Sequence, residues 1–391
     1  MLHNLQKILS LVFALCILLS LVGCTGEETQ VVPTETVALE VTEPAPTEPE
    51  PAEPAPTEPE VTEPEPAEPP EPVITEITLS FTGDCTFGRN QKQSYSGSYD
   101  QYYDKYGPDY FFSKVRDIFE ADDITVINLE GSLTKSKDLQ KKKWNHKGRP
   151  KYVKIMTGSS VEVATMGNNH RLDYGQSGCD ETVKVLTENN ITYCYDDIYA
   201  IYEVKGVKVG FVSVNEVYDE TAVEVWLTEG YQYLRDQGCQ IVVACPHWGG
   251  GHTSKIQEYQ IDLGHRLIDM GYDLVVGNHP HRIQAIEYYN GKFIAYSLGN
   301  FSYGGNKNPD DKDSGIFQQT FTLVDGEVTV DMNAKFFPCS SSGKTSYNNY
   351  RPVVLQGEKA EKVMNRMNKY CAKFGLALDE NGVPYLLEET T

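Results

Sequence analysis

Six short apolar runs, rich in β-branched residues, recur from residue 74 onward: ITLSFTGD, ITVINLE, VEVATMG, KVGFVSVN, IVVACPHW and LVVGNHP. Gly, Asn or Pro at the exit of each marks the end of a strand. The stretches between them carry helical apolar spacing and predict helices over 110–121, 178–189, 223–237 and 254–270. Such alternation folds into α/β layers, and runs that are apolar on both faces belong to central strands covered on both sides. After His281 the rhythm changes. IQAIEYYNGKFIAYSLGNF and GIFQQTFTLVDGEVTVDMNAKFFP read as pairs of alternating strands around Asn290-Gly291 and Asp325-Gly326, dipeptides suited to type I′ hairpins. The later sheet is therefore antiparallel, within one mixed sheet or in two sheets packed face to face, and a last helix over 358–374 covers the outside.

The first 73 residues stand apart from this pattern. Lys7 precedes an apolar run over 8–22 that is short for a membrane span and ends in Leu21-Val22-Gly23-Cys24. It resembles a bacterial lipoprotein signal: cleavage after residue 23 and acylation of Cys24 leave a chain moored by lipid at the extracytoplasmic face of the membrane. Residues 27–72 repeat Thr, Glu, Pro and Ala with no aromatic residue, Lys or Arg. Such a segment cannot bury a core, and dense proline with self-repelling glutamate predicts an extended stalk over 24–73. The stalk holds 14 of the acidic residues, so most of the formal net charge of −22 belongs to it and 74–391 is an ordinary acidic domain.

Composition excludes a nucleic-acid role. The one basic cluster, Lys141, Lys142, Lys143, Lys147, Arg149, Lys151 and Lys154, lacks a groove-entering motif. It reads as a solvated loop, with holding an anionic substrate as the alternative. Beyond Cys16 and Cys24, seven cysteines at irregular spacing include no CxxC pair, which argues against a zinc ribbon and for buried free thiols.

Chemistry concentrates at strand exits. Asp84 lies in TGDCTFGR, Asn128 and Glu130 in INLEGS, Asn169 and His170 in GNNHRLDYG, His247 in ACPHWGG, and His279 and His281 in GNHPHR. In open α/β sheets, ligands gather at the carboxyl ends of strands. Carboxylate, amide oxygen and imidazole together suit zinc, manganese or iron better than calcium or magnesium. His146, His252 and His265 lack that context and read as ordinary polar residues. Tyr95, Tyr99, Tyr102, Tyr103 and Tyr106 read either as loop packing or as a polymer-contacting surface.

The ordered set GD, NLE, GNNHRLDYG, HWG, GNHPH and YSLGNF, over residues 78–302, resembles the CapA family of poly-γ-glutamate capsule proteins. That resemblance implies the fold of calcineurin-like metallophosphoesterases, a four-layer α/β/β/α sandwich with mixed sheets, and a centre of one or two divalent ions. By position it implies Asp84 and His281 on one metal, Glu130 bridging, and Asn169, His247 and His279 on the other. It gives His170 the place of the imidazole that stabilises the leaving oxygen, with Asp173 orienting that ring and Asn128 supporting the ligands. One position departs from the pattern: phosphoesterases of this architecture begin with Asp-x-His, and here the residues are Asp84-Cys85-Thr86. Two functions follow as expectations. One is a metal-dependent hydrolase or transferase acting on an anionic cell-envelope polymer. The other is a noncatalytic subunit that binds such a polymer within a capsule synthesis or export complex.

Overall fold

The computed structural model describes residues 71–217 and 220–388. The expected signal segment, Cys24 and all of the stalk up to residue 70 lie outside the described residues. In chain order the main elements are β1 (Ile74–Thr86), α1 (Tyr99–Tyr106), α2 (Arg116–Phe119), β2 (Ile124–Leu129), α3 (Val153–Thr157), β3 (Val163–Thr165), α4 (Gly175–Glu188), β4 (Thr192–Cys194), β5 (Ala200–Val204) and β6 (Val207–Asn215). There follow α5 (Glu220–Asp236), β7 (Ile241–His247), α6 (Glu258–Met270), β8 (Leu274–Val276), β9 (Ile286–Tyr289), β10 (Lys292–Ala295), β11 (Asn300–Tyr303), β12 (Asp313–Val324), β13 (Ala334–Ser340), β14 (Val353–Val354) and α7 (Glu358–Cys371).

Two mixed sheets carry the fold. The first runs β14-β13-β12-β1-β2-β3-β4, with β11 also paired to the end of β1. Its β1 to β4 half is parallel and its β12 to β14 half antiparallel. The second runs β9-β10-β8-β7-β6-β5, parallel in the centre and antiparallel at both edges. The result is a mixed α/β fold. Ile77, Leu79, Phe81, Ile124 and Val126 of the first sheet share one buried cluster with Phe211, Val243, Leu274 and Ile294 of the second, and Leu227, Leu263 and Leu267 of α5 and α6 join it. Ile127, Leu129 and Ala164, on the opposite face of the first sheet, pack instead with Phe112, Phe119, Met156 and Leu186.

Both hairpin turns adopt the backbone their sequences predict. Asn290 and Gly291 have φ of 46° and 81°, and Asp325 and Gly326 have 52° and 87°. Helix boundaries depart further from expectation. Over 110–121 the chain forms a single 3-10 turn at Pro108–Tyr110 and only the four residues of α2. Packing overrides helical regularity there: Phe111 stacks on Tyr99 with ring centroids 4.2 Å apart, and Phe112 meets Phe119 edge-on at 5.5 Å. The helix expected from 254 starts at Glu258, where the Gln260 side chain accepts from the Gln257 backbone N–H at 2.9 Å. The described cysteines are all free and buried, and burial pushes the Cys85 thiol up to about 12. Among the described residues no helix is long and apolar enough to cross a membrane.

One local irregularity decides which way the first ligand patch points. Phe81 pairs with Val126 but Asp84 pairs with Asn128, so β1 spends three residues where β2 spends two. This bulge inverts the alternation. Asp84 thereby shares a face with Phe81, Val126 and Asn128, while Cys85, opposite Leu129, turns into the other cluster. Gly83 makes the bulge possible, because a Cβ there would lie 2.0 Å from the Gly299 carbonyl oxygen.

Candidate metal centre

The strand-exit residues converge from both sheets. Asp84 and Glu130 are fully buried, and His247, His279 and His281 nearly so. Glu130 Oε1 is the meeting point: Nε2 of His247 and of His281 each lie 3.7 Å from it and Nε2 of His170 lies 3.9 Å away. His279 Nδ1 is 3.1 Å from His247 Nε2, which is itself 3.1 Å from Asn169 Oδ1. His281 Nδ1 is 2.9 Å from Asp84 Oδ2.

Buried carboxylate oxygens normally have hydrogen-bond partners, and Glu130 Oε1 has none. Two donor sets share that residue, Glu130-His247-His279 and Asp84-Glu130-His281, and within each the candidate ligand atoms lie within 4.8 Å of one another. An acceptor left without a donor, ringed by imidazoles, fits a divalent cation. The backbone is also shaped for this placement: His279 and His281 have φ of 97° and 53°, conformations that cost energy in non-glycine residues and persist where the surroundings enforce them.

The electrostatics divide the donor set: two imidazoles are held neutral, while Glu130 and His281 favour their protonated forms. Burial, and then the neighbouring rings of His279 and His281, hold His247 well below the ordinary imidazole range, so it is neutral as a metal ligand must be. Burial likewise depresses His279 to about 4. Burial raises Glu130 to about 8, with Asp84 adding to the effect. For His281 burial acts downward, but the carboxylates of Glu130 and Asp84 outweigh it and lift the ring to about 9.

Hydrogen bonds fix the surrounding side chains. Asn128 Nδ2 donates to Asp84 Oδ1 at 2.8 Å, and Asn128 Oδ1 accepts from Asn168 at 3.0 Å. Asp173 Oδ2 lies 2.7 Å from His170 Nδ1 and also accepts from the His146 backbone N–H, while its Oδ1 lies 2.5 Å from Lys142 Nζ. Lys142 is thus the member of the basic cluster that reaches the centre, and it is held there by Asp173 and by the Asn169 carbonyl at 2.6 Å. At the departing position, Cys85 faces away and Thr86 Oγ1 donates to Glu130 Oε2 at 3.3 Å. A hydroxyl bonded to the shared carboxylate stands where the pattern has an imidazole.

Four residues enter that sequence reading left aside. Asn300 Oδ1 lies 3.0 Å from His281 Nδ1, and Asn168 Oδ1 accepts from the His170 backbone N–H at 3.1 Å. Both occur in the motifs YSLGNF and GNNH, which was the signal for them. The rings of His252 and His146 lie 5.2 Å from His281 and 4.2 Å from His170. Neither ends a strand, and nothing in the sequence singles them out. His265 is outside the cluster, bonded to Glu287 at 2.8 Å and stacked on Tyr289 at 3.8 Å. Tyr99 and Tyr103 are buried packing residues, whereas Tyr95 and Tyr106 remain exposed.

Comparison with known proteins gives the same family from several directions. The family model described as "Bacterial capsule synthesis protein PGA_cap" matches residues 78–304. The capsule biosynthesis protein CapA of Bacillus anthracis is 26% identical over 254 residues, covering 58% of this chain and 60% of that protein. The PGA biosynthesis protein CapA of Bacillus subtilis strain 168 is 27% identical over 248 residues, covering 58% and 63%. A probable polyglutamine synthesis accessory protein of Mycobacterium tuberculosis is 28% identical over 209 residues, covering 46% and 55%. The matched region thus spans about three fifths of the length of the two CapA proteins. Among solved structures, a hypothetical protein from Thermus thermophilus aligns with a TM-score of 0.42 at 12% identity, covering 67% of this chain and 99% of that one. With more than half of its length matched by the family model, this chain belongs to the PGA_cap family of bacterial capsule synthesis proteins.

Proposed function

We propose that this chain is a metal-dependent hydrolase or transferase of capsule or polyglutamate metabolism. It acts on an anionic cell-envelope polymer from the extracytoplasmic face of a bacterial membrane, where acylated Cys24 holds it and the acidic repeat spaces the domain 74–391 from the lipid. The observation that carries this reading is Glu130 Oε1, buried, without a hydrogen-bond partner and surrounded by the imidazoles of His170, His247 and His281. The names of the CapA relatives support the capsule setting. The two sheets, sharing a core with helices packed outside, support the four-layer sandwich as the frame.

In this reading Asp84, Glu130 and His281 would hold one cation and Glu130, Asn169, His247 and His279 another, of manganese, zinc or iron. A divalent ion so placed supplies Lewis acidity and a more acidic water. The chain's own residues do the rest. His170, held neutral by burial and with its Nδ1 facing Asp173, presents Nε2 toward the cluster, where it takes a proton from the attacking water and passes that proton to the departing group. Asp173 keeps the ring in that orientation, and Lys142 compensates the charge of Asp173. Asn128 and Asn300 hold Asp84 and His281 in place.

A second reading has its own observation. Thr86 in place of the imidazole leaves one set short of a nitrogen ligand, and a Mycobacterium tuberculosis relative is named an accessory protein. In that case the centre binds the polymer within a synthesis or export complex without turnover. Assaying the full chain with poly-γ-glutamate and with a generic phosphodiester separates the two. Turnover that disappears in His279→Ala supports the enzyme; polymer affinity without turnover supports the accessory role.

A further inference from the structure

Beside the candidate metal centre lies a cavity of about 380 Å³ whose walls include Gln93, Trp144, His146, Tyr303, Gly305 and Lys307. Two of its walls carry hydrogen-bonding capacity that the protein leaves unused. His146 is only 3% exposed, yet its Nδ1 has no hydrogen-bond partner. Gln93 Oε1 is buried and likewise without one. The orientation of the Gln93 amide is not arbitrary, because its Nε2 donates to the Gly305 carbonyl at 2.5 Å; a flip would set two oxygens against each other. Gly305 keeps the space open, since a Cβ there would lie 2.6 Å from the Tyr303 hydroxyl and 2.8 Å from His146 Cε1. The cavity meets the centre at His170 and His281, which line it, and the Tyr303 ring lies 5.3 Å from that of His281.

We propose that His146 and Gln93 form a subsite that receives a neutral donor-bearing group of the substrate, an amide or a hydroxyl, next to the metal-bound end. The chemistry of the two walls selects it. Gln93 Oε1 accepts only, so it repels a bare carboxylate or phosphate and needs an incoming N–H or O–H. The neutral imidazole of His146 offers one donor and one acceptor, the complement of an amide or a hydroxyl. Lys307 in the lining is already engaged by Ser94 Oγ and the Ser96 carbonyl, and His281 by Asp84 and Asn300. Trp144, 49% exposed, forms an apolar rim at the entrance. This inference rests on the reading of the neighbouring cluster as a centre that engages an anionic group.

The test is isothermal titration of the full chain, with metal content measured on the same samples. Two pairs of probes are used: a short amide-linked oligoglutamate against its analogue with ester oxygen in place of each N–H, and a hexose phosphate against its O-methylated analogue. The donor-bearing member of at least one pair is expected to bind about tenfold more tightly. Gln93→Leu and His146→Phe are expected to bring that ratio to within about twofold of unity, and His146→Gln to restore most of it. Circular dichroism checks that each variant is folded. Equal affinities within both pairs, no binding of any probe, or a preference that survives Gln93→Leu would overturn the subsite. A sample without metal that keeps the donor preference contradicts the metal reading and leaves the subsite standing.

Discussion

Asp173 orders three neighbours of the donor sets at once. Its two oxygens face His170 Nδ1, the His146 backbone N–H and Lys142 Nζ, so one carboxylate fixes a ring, a strand and a cation together. Replacing it with Asn keeps the shape but removes the charge that Lys142 needs. Asp173→Asn is therefore expected to lower turnover by roughly 10- to 100-fold while metal content stays within error, read by initial rates and elemental analysis of the same sample. The residues at strand exits were legible because position and chemistry coincide there: His247 is the last residue of β7, and His279 and His281 lie in the loop that leaves β8 at Val276. His146 was not legible. It is a lone imidazole opening the three-residue strand His146–Gly148, and only tertiary packing brings its ring 4.2 Å from that of His170. Asn168 and Asn300 fall between these cases, lying within recognised motifs but with roles that depend on which backbone groups they meet.

At the scale of elements, strand alternation alone places Asp84 on the wrong face of β1. Reading Ile77, Leu79 and Phe81 as the core side puts residue 84 with Ser80 and Thr82, and the bulge before Asp84 reverses this. The strand itself is plain from its β-branched run, but a one-residue irregularity leaves no periodic trace. Gly83 is the device that permits it. Gly83→Ala forces a Cβ to within 2.0 Å of the Gly299 carbonyl and is expected to destabilise the chain by more than about 2 kcal/mol, measured by urea unfolding. The start of β2 makes a different, pH-dependent prediction. Asp122, bonded to Thr125 Oγ1 at 2.8 Å, is raised to about 7, chiefly by burial and further by Glu162 and Asp123. Its folded form keeps the proton after the unfolded chain has released it, so stability falls as pH rises from the ordinary carboxylate range through about 7. Asp122→Asn is expected to stabilise by roughly 1–2 kcal/mol at pH 8 and to change little at pH 4, read from denaturation midpoints. The aromatic segment over 110–121 illustrates why helix length was overread. Its apolar spacing fits a helix, but Phe111 and Phe112 are claimed by separate ring contacts.

At the scale of the molecule, the centre joins two sheets that share an apolar core. Asp84, Glu130 and Asn169 come from the first sheet, and His247, His279 and His281 from the second, so a bound cation ties the halves together. Chelation is accordingly expected to lower the thermal midpoint of the full chain by several degrees and metal addition to restore it, as for any ligand that binds only the folded state. α/β class, hairpins and the strands that end in the motifs were open to sequence reasoning because each rests on local pattern. The pairing of β12 with β1, which closes the first sheet across more than two hundred residues of chain, was not. The most direct test is elemental analysis of the purified full chain beside Glu130→Gln, since Glu130 belongs to both donor sets. About one or two equivalents of manganese, zinc or iron are expected in the parent protein, falling more than about tenfold in the variant. A parent protein free of such metal after growth and purification in its presence, or an occupancy that Glu130→Gln leaves unchanged, would contradict the account.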